Sequence, residues 1–308
     1  MLKIRRILVA IRDMQHTPLT ALRKVAVLAR ATGARIELLH VMDVSPSPLQ
    51  AVARARQRLE RIARCAWARG CRIECTVIDD SPAHQAIVRG ALASKADLVV
   101  APSHAHGRAA RWFLRNTDWE LIRHCPCPLL LAKSRTVYRR PVILVAVDPF
   151  HAHSKPAGLD ARLLATGKDW ARLLGGAVHL FHAYMPLPAY VAGTLGEPVL
   201  WENPEVENIH GAQVRSVFNK LAQRADIPAA QRHLVMGDAA SELPSMVRRV
   251  RAALVVMGTI SRSGLERAFI GSTAERVLDQ LTCDVLTVKP RGFKSGPPRR
   301  RRPRRSAR

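Results

Sequence analysis

The sequence has no apolar run long enough to cross a bilayer. About 20 consecutive apolar residues are needed to span the hydrocarbon core, and the N-terminal apolar stretch Ile7–Ile11 breaks at Arg12-Asp13 with no small-residue cleavage site. We therefore expect neither a membrane span nor a secretory signal. The stretch is better interpreted as the buried first strand of a cytoplasmic protein.

Cysteine is scarce and lacks the spacing of redox or zinc motifs. The chain has six cysteines and none of them form a C-x-x-C pair, so we predict reduced thiols in a reducing compartment. Cys125-Pro126-Cys127 is interpreted as structural. His104 and His106 are two potential ligands, but no third ligand follows at zinc spacing. The sequence therefore predicts no metal site of its own.

Acidic residues are few relative to basic ones. The chain has 24 Asp and Glu against 49 Lys and Arg, a formal net charge of +25. Residues 293–308 form a Pro/Arg-rich tail that cannot bury a core, and we predict that it is disordered. Two interpretations of the charge stay open. It favours weak contact with nucleic acid or anionic lipid head groups, or it reflects a solvated, arginine-rich composition.

What the sequence does contain is an internal duplication. Three apolar segments recur in the same order, which is the pattern expected of a repeated structural unit. The pairs are ILVAI at 7–11 with ILVAV at 143–147, ADLVVA at 96–101 with AALVVM at 252–257, and CPLLLAK at 127–133 with CDVLTVK at 283–289. We predict two domains, residues 1–135 and 141–292, joined by a short polar linker.

Within each predicted domain, strand-like segments alternate with segments of helical spacing. In the first domain the predicted strands are 3–11, 36–41, 72–78, 97–101 and 128–133, and the predicted helices are 19–32, 49–69, 83–94 and one from 116, with Thr17 and Ser81 near the helix starts as caps. In the second the strands are 141–147, 177–184, 231–236, 252–257 and 283–289, and the helices are 159–174, 205–225, 241–250 and one from 271. This alternation predicts an α/β fold with a parallel sheet and right-handed crossovers.

A glycine-containing loop follows the fourth strand of the second domain. The apolar run ends at Gly258, and Gly271-Ser272-Thr273 then opens a helix. Backbone N–H groups at a helix start are free to bind anions, and glycine lets a phosphate approach the backbone closely. Since ligands of open parallel sheets bind at the carboxyl ends of strands, the sequence predicts an anion site there. The loop matches neither the Walker A nor the G-x-G-x-x-G pattern.

The loop instead resembles the nucleotide loop of the universal stress protein family, G-x2-G-x9-G-S/T. Gly258 and Gly271-Ser272 stand at its first and last positions, and Ser261 stands where the second glycine belongs, followed by Arg262-Ser263-Gly264. With the duplicated strands, the chain resembles a tandem universal stress protein, most similar to the E type. The resemblance implies two Rossmann-like domains, each a five-stranded parallel sheet flanked by helices. It also implies a cytoplasmic role in stress survival, including resistance to DNA damage.

The resemblance also implies a set of nucleotide contacts. In nucleotide-binding members an Asp after the first strand contacts adenine and ribose, and Asp148 matches it; Ala183 matches a residue that lines the adenine pocket. The remaining matches are Gly258, Ser261, Arg262, Gly264, Gly271, Ser272 and Thr273. The implied ligand is ATP or AMP, with Mg²⁺ only as a companion of the nucleotide. An alternative role for Asp148 is to cap the turn before Pro149.

The first domain departs from the nucleotide pattern. Arg12 occupies the Asp position, Ala101 replaces the first loop glycine and is followed by Pro102, and Arg115-Asn116-Thr117 replaces Gly-Ser/Thr. A Cβ atom and a proline ring would obstruct the approach of a phosphate. We therefore predict that the first domain does not bind ATP and instead packs against the second. Pairing of like-folded halves leaves open whether the chain is a monomer or a homodimer.

No residue pair stands out as a nucleophile with its general base, so we expect no chemistry beyond slow ATP hydrolysis. The Pro-, Gly- and aromatic-rich segment Met185–Pro204, with Tyr190 and Trp201, is interpreted as a lid or a mobile insertion. Together with the degenerate first domain it leaves a second hypothesis open, an apolar ligand such as a lipid held between the domains. A third is a basic, nucleic-acid-associated stress protein that contacts nucleic acid through the tail.

Overall fold

In the residues that the structure describes, ten β-strands form one sheet, to which each half of the chain contributes five. The computed structural model describes residues 3–42, 48–102, 116–150, 158–186, 204–259 and 272–293. The first half contains β1 (Arg6–Ile11), α1 (Leu19–Thr32), β2 (Arg35–Met42), α2 (Leu49–Ala63), β3 (Arg72–Asp79), α3 (Ala83–Ala93), β4 (Leu98–Pro102), α4 (Asn116–His124) and β5 (Leu129–Ala132). The second contains β6 (Val142–Ala146), α5 (Leu159–Leu174), β7 (Ala177–Tyr184), α6 (Pro204–Arg224), β8 (Arg232–Met236), α7 (Ala239–Arg249), β9 (Leu254–Gly258), α8 (Ser272–Gln280) and β10 (Asp284–Val288).

The strand order shows how the halves meet. It reads β3-β2-β1-β4-β5-β10-β9-β6-β7-β8, so each half has the same internal order. Strands within a half pair in parallel, whereas β5 and β10 pair antiparallel, with Leu130 opposite Leu286. These two leucines are equivalent positions of the duplicated segments, so an approximate two-fold axis passes between them. The predicted tandem α/β fold with five-stranded parallel units is confirmed.

Both faces of the sheet are covered by apolar packing. Along β1, Ile7, Val9 and Ile11 belong to one buried cluster, which also holds residues of α1 and α5, while Leu8 and Ala10 belong to a second cluster on the other face. A strand buried on both faces needs apolar side chains at successive positions. This explains why the strand sequences are continuous apolar runs rather than alternations of apolar and polar residues.

Two lysines at equivalent positions tie each half to the last helix of the other. Lys133, after β5, donates from Nζ to the carbonyl oxygen of Leu278 at 2.6 Å, and Lys289, after β10, donates to the carbonyl oxygens of Ile122 and Arg123. Both lysines are buried. Carbonyl groups at a helix C-terminus lack partners within the helix and favour a cation, so these contacts satisfy α8 and α4 reciprocally.

Some predicted boundaries are wrong for identifiable reasons. Helix α2 ends at Ala63 rather than near residue 69, because the buried Trp67 donates its indole N–H to the carbonyl oxygen of Ile62 at 2.8 Å within a short 3₁₀ turn, Ala66–Ala68. The Thr17 hydroxyl does not cap α1, since it donates to the carbonyl oxygen of Asp13. Helix α3 likewise has no side-chain cap.

Several predictions fall outside the described residues. These are the aromatic segment around Tyr190 and Trp201, the histidines His104 and His106, and the basic tail from Lys294. Among the described residues, no helix combines the length and the apolar character that a bilayer crossing requires. All six cysteines are free thiols, two of them buried, Cys125 and Cys283.

Candidate functional site

Three of the predicted site residues lie at one edge of the sheet in the second domain. The parallel strands β6, β7 and β9 are adjacent, so their carboxyl ends meet. Asp148 follows β6, Ala183 lies near the end of β7 and Gly258 ends β9. This is the edge at which open parallel sheets bind ligands.

Helix α8 extends toward the same side of the domain, since its Arg276 contacts Asp238, which follows β8. The helix begins at Ser272, so Ser272 and Thr273 lie in its first turn. The N–H groups of a first helical turn have no partner within the helix and carry the positive end of its dipole. The rest of the predicted loop, Ser261, Arg262, Gly264 and Gly271, lies outside the described residues.

Asp148 is half-buried, and a hydrogen bond from its own backbone N–H fixes its position. Its N–H donates to Oδ1 of Asp160 at 3.3 Å, and Asp160 lies in the first turn of α5. The contact ties the turn after β6 to the start of the following helix. It therefore fixes the point in the fold from which the Asp148 carboxylate extends.

His182 is a residue of this edge that the sequence analysis missed. Its Nδ1–H donates to the carbonyl oxygen of Val147 at 3.0 Å, and its ring, only 5% exposed, stacks on Phe150 and Phe218 with centroid distances of 5.8 and 6.4 Å. A carbonyl oxygen can only accept, so Nδ1 carries the hydrogen of this bond. It anchors the backbone directly before Asp148 to β7.

The first domain repeats this histidine contact, and the repeat is a signal that the sequence offered. His40 contacts the carbonyl oxygen of Ile11 through Nδ1 at 2.8 Å. Ile11 and Val147 are the last residues of the duplicated segments 7–11 and 143–147. In each domain, therefore, the carbonyl oxygen at this position contacts a histidine of the neighbouring second strand. A histidine at the same place in both second strands predicts a shared structural contact, not a ligand.

Gly258 is required by packing at the floor of the site. A Cβ atom at this position would lie 2.8 Å from Cδ2 of Leu159, a residue of α5 that is 3% exposed. A Cβ atom is not found this close to another carbon atom, so the absence of a Cβ at position 258 makes room for Leu159. The sequence analysis attributed Gly258 to phosphate approach, and the structure adds this second reason for it.

The equivalent edge of the first domain holds an ion pair. Arg12, which takes the place of Asp148, lies 2.8 Å from Oδ1 of Asp118 through Nη1 and donates from Nη2 to the carbonyl oxygen of Pro102 at 3.0 Å. The side chains are 13% and 1% exposed. The first domain thus places its own guanidinium and carboxylate at the edge where the second presents Asp148.

The pairing register corrects one alignment made from the sequence. Val99 pairs with Leu129 in the first domain, and Val255 pairs with Val285 in the second. Counting from these pairs, Pro102 rather than Ala101 is the counterpart of Gly258. The duplicated segments agree, since matching 96–101 with 252–257 also sets Pro102 against Gly258, so the placement of Ala101 there was wrong.

Metal ligation has no support in the part of the chain that the structure describes. Within those ranges no three His, Cys, Asp or Glu side chains come together as ligands of one metal ion. The chemistry that the edge offers is carboxylate, backbone N–H and helix dipole, which suits a hydroxyl-bearing, anionic ligand.

The fold defines a tandem protein of two doubly wound α/β domains. Comparison with known proteins supports this description of the fold. The sequence profile described as "Universal stress protein family" matches residues 3–133 and 140–289. "Universal stress protein E" of Photorhabdus laumondii is 28% identical over 304 residues, covering 93% of this chain and 95% of that protein. The protein of the same name from Escherichia coli K12 is 31% identical over 224 residues, covering 72% and 69%.

Solved structures show the same architecture. A putative universal stress protein from Pseudomonas aeruginosa UCBPP-PA14 superposes with a TM-score of 0.72 at 27% identity, covering 93% of this chain and 94% of that one. A universal stress protein from Archaeoglobus fulgidus shares the fold with a TM-score of 0.67 at 16% identity, covering 92% and 98%. The chain belongs to the universal stress protein family, in its tandem, E-type arrangement. This membership supports a function in the stress response.

Proposed function

We propose that the chain is a stress-response regulator that binds an adenine nucleotide, ATP or AMP, in its second domain. The observation that supports the proposal is the position of Asp148, Ala183 and Gly258 at the carboxyl ends of the adjacent strands β6, β7 and β9. A role in stress survival, including resistance to DNA damage, and a cytoplasmic location are parts of the same proposal.

Each residue has a physical role in this proposal. The Asp148 carboxylate accepts hydrogen bonds from the ribose hydroxyls, and Ala183 lines the adenine pocket. The phosphates lie against the first turn of α8, where Ser272 and Thr273 add donors to the helix N-terminus. Ser261, Arg262, Gly264 and Gly271 complete the phosphate loop, and Mg²⁺ enters only with the nucleotide. The first domain, with Arg12 in place of Asp148, binds none.

The test is calorimetric titration of ATP and AMP into nucleotide-free, full-length protein at moderate salt. One site per chain is expected. The variant Asp148→Ala is expected to lose the binding, because the ribose loses its acceptor. Asp13→Ala is the matched control, since Asp13 follows β1 beside Arg12 and its side chain is 45% exposed.

Three results separate the proposal from its rivals. Unchanged affinity in Asp148→Ala would show that the assigned site is wrong. An equal loss in Asp13→Ala would place binding in both domains. A chain lacking Lys294–Arg308 that no longer binds would show attraction to the basic tail instead.

A further inference from the structure

One face of helix α2 is a stripe of exposed arginines. Arg54, Arg58 and Arg61 follow one another at helical spacing, and all three are exposed, whereas Ala55 and Leu59 of the same helix are buried against the sheet. Residues at i, i+4 and i+7 lie on one face of a helix. We call these three residues the α2 arginine face.

The only carboxylate of this helix does not lie on that face. Glu60 is contacted by Arg56, whose Nε is 3.3 Å from Oε1, on the neighbouring side of the helix. An i,i+4 pair of this kind is a local contact on the helix surface. Glu60 is therefore engaged by a fourth arginine, and the α2 arginine face keeps its three positive charges.

The duplication supplies an internal comparison. Helix α6 connects the second and third strands of its domain, as α2 does in the first. Its sequence carries three basic residues, Arg215, Lys220 and Arg224, and two glutamates, whereas α2 carries four arginines and one glutamate. A composition bias of the whole chain would act on both helices alike. The arginines of α2 are thus more numerous, and less offset by glutamate, than the basic residues of α6.

We propose that the α2 arginine face docks on the phosphate backbone of a nucleic acid, without reading its sequence. Seven residues of helix extend about 10 Å, which is about three phosphate steps of 3.4 Å along one strand of a duplex. The guanidinium group binds phosphate oxygens through two parallel N–H bonds. Three such steps join four phosphates, so the stripe places three guanidinium groups along about four successive phosphates of one strand.

The shape of the helix argues for nucleic acid over a membrane surface. A helix that lies in a bilayer interface inserts an apolar face among the lipids. In α2 that face is already used inside the protein, where Leu59 is fully buried. Apart from Leu49 at the first position of the helix and Ala53, which are exposed, the outward side is polar, with Gln50 and Gln57 near the arginines. Such a surface binds mainly by counterion release.

The experiment compares two triple variants of the full-length chain without nucleotide. The first is R54Q/R58Q/R61Q, and the matched control is R215Q/K220Q/R224Q, which removes three exposed positive charges from α6. Glutamine has a helix propensity close to that of arginine and lysine, so both variants keep their helices, which circular dichroism verifies. Binding to a fluorescent random-sequence DNA duplex is measured by anisotropy at several salt concentrations.

We expect the α2 variant to lose roughly 100-fold in affinity at 0.1 M salt, and the slope of log K against log salt to flatten by about 2.7, because each phosphate contact contributes about 0.9. The α6 variant should stay close to the parent. Equal losses in both variants, or no loss in either, would overturn the proposal, since binding would then follow total charge or the tail. Retention on anionic vesicles is measured for the same variants. If the α2 variant loses vesicle retention but still binds DNA as the parent does, the α2 arginine face binds membranes instead. Because the assay contains no ATP, its outcome is independent of the nucleotide site.

Discussion

Lys24 and Asp284 form a fully buried ion pair that joins the two domains. Nζ of Lys24, on α1, lies 2.6 Å from Oδ2 of Asp284, at the start of β10, and both side chains are 0% exposed. The carboxylate also accepts bonds from the Tyr138 hydroxyl at 2.6 Å and from the N–H groups of Lys133 and Ser134 at 2.8 and 2.7 Å. A carboxylate of the second domain is thus satisfied almost entirely by the first domain and the linker.

We predict that Lys24→Met lowers the free energy of unfolding by about 3–5 kcal/mol. The substitution leaves the Asp284 carboxylate buried without its cation, and breaking a buried pair from one side carries a cost of this size. Arg23→Met removes an exposed charge from the adjacent position and should change stability little. Urea unfolding of both variants measures the difference. A Lys24→Met protein as stable as Arg23→Met would show that the pair does not hold the domains together.

The reciprocal lysines predict a pH dependence of stability. Burial lowers the pKa of Lys133 and of Lys289 to about 8, from an ordinary value of 10.5. Between these values the unfolded lysine keeps its proton while the folded one has lost it, so the unfolded state binds more protons and stability rises with pH. The contribution of each lysine should grow by roughly 1.4 kcal/mol per pH unit from pH 8 to about pH 10.

The measurement is a difference between two proteins. Unfolding free energies of the parent and of Lys133→Met are compared from pH 7 to pH 10, because thiols and tyrosines titrate in both and largely cancel. The free energy of unfolding of the parent should increase relative to that of Lys133→Met as the pH rises above 8. A difference that is constant over the range would mean that the buried Lys133 titrates as it does in the unfolded chain.

Much of this fold could be predicted from local sequence patterns, whereas less of the candidate site could. Apolar runs such as Ile7–Ile11 predicted strands because burial on both faces forces successive apolar side chains. No sequence pattern predicts the pairing of Leu130 with Leu286, since it depends on how the two five-stranded sheets meet edge to edge. The same holds for Arg12 and Asp118, polar residues far apart in the sequence, whose contact has no periodicity. The shortened α2 depends on one indole bond from Trp67, which propensity does not encode.

Arg12 and Asp118 should be energetically coupled. We predict that Arg12→Met costs about 3 kcal/mol, because a carboxylate that is 1% exposed loses its guanidinium. In the double variant Arg12→Met/Asp118→Asn much of this loss should return, since the buried carboxylate that has lost its guanidinium is removed as well. Denaturant unfolding of the two single variants and the double variant gives the coupling energy. Additive effects would show that the two side chains do not stabilise one another.

Gly258 and Leu159 should also be coupled, through shape alone. A Cβ atom at position 258 would meet Cδ2 of Leu159 at 2.8 Å, so Gly258→Ala should cost about 1–3 kcal/mol through overpacking. Leu159→Ala removes the obstructing atoms and costs about 2–5 kcal/mol by itself through the cavity it leaves. In that background, Gly258→Ala should cost almost nothing, because the new methyl group enters the space that Leu159 vacated. Thermal and urea unfolding of the four proteins measure the cycle. If Gly258→Ala costs the same in both backgrounds, Leu159 is not the residue that excludes a side chain at position 258.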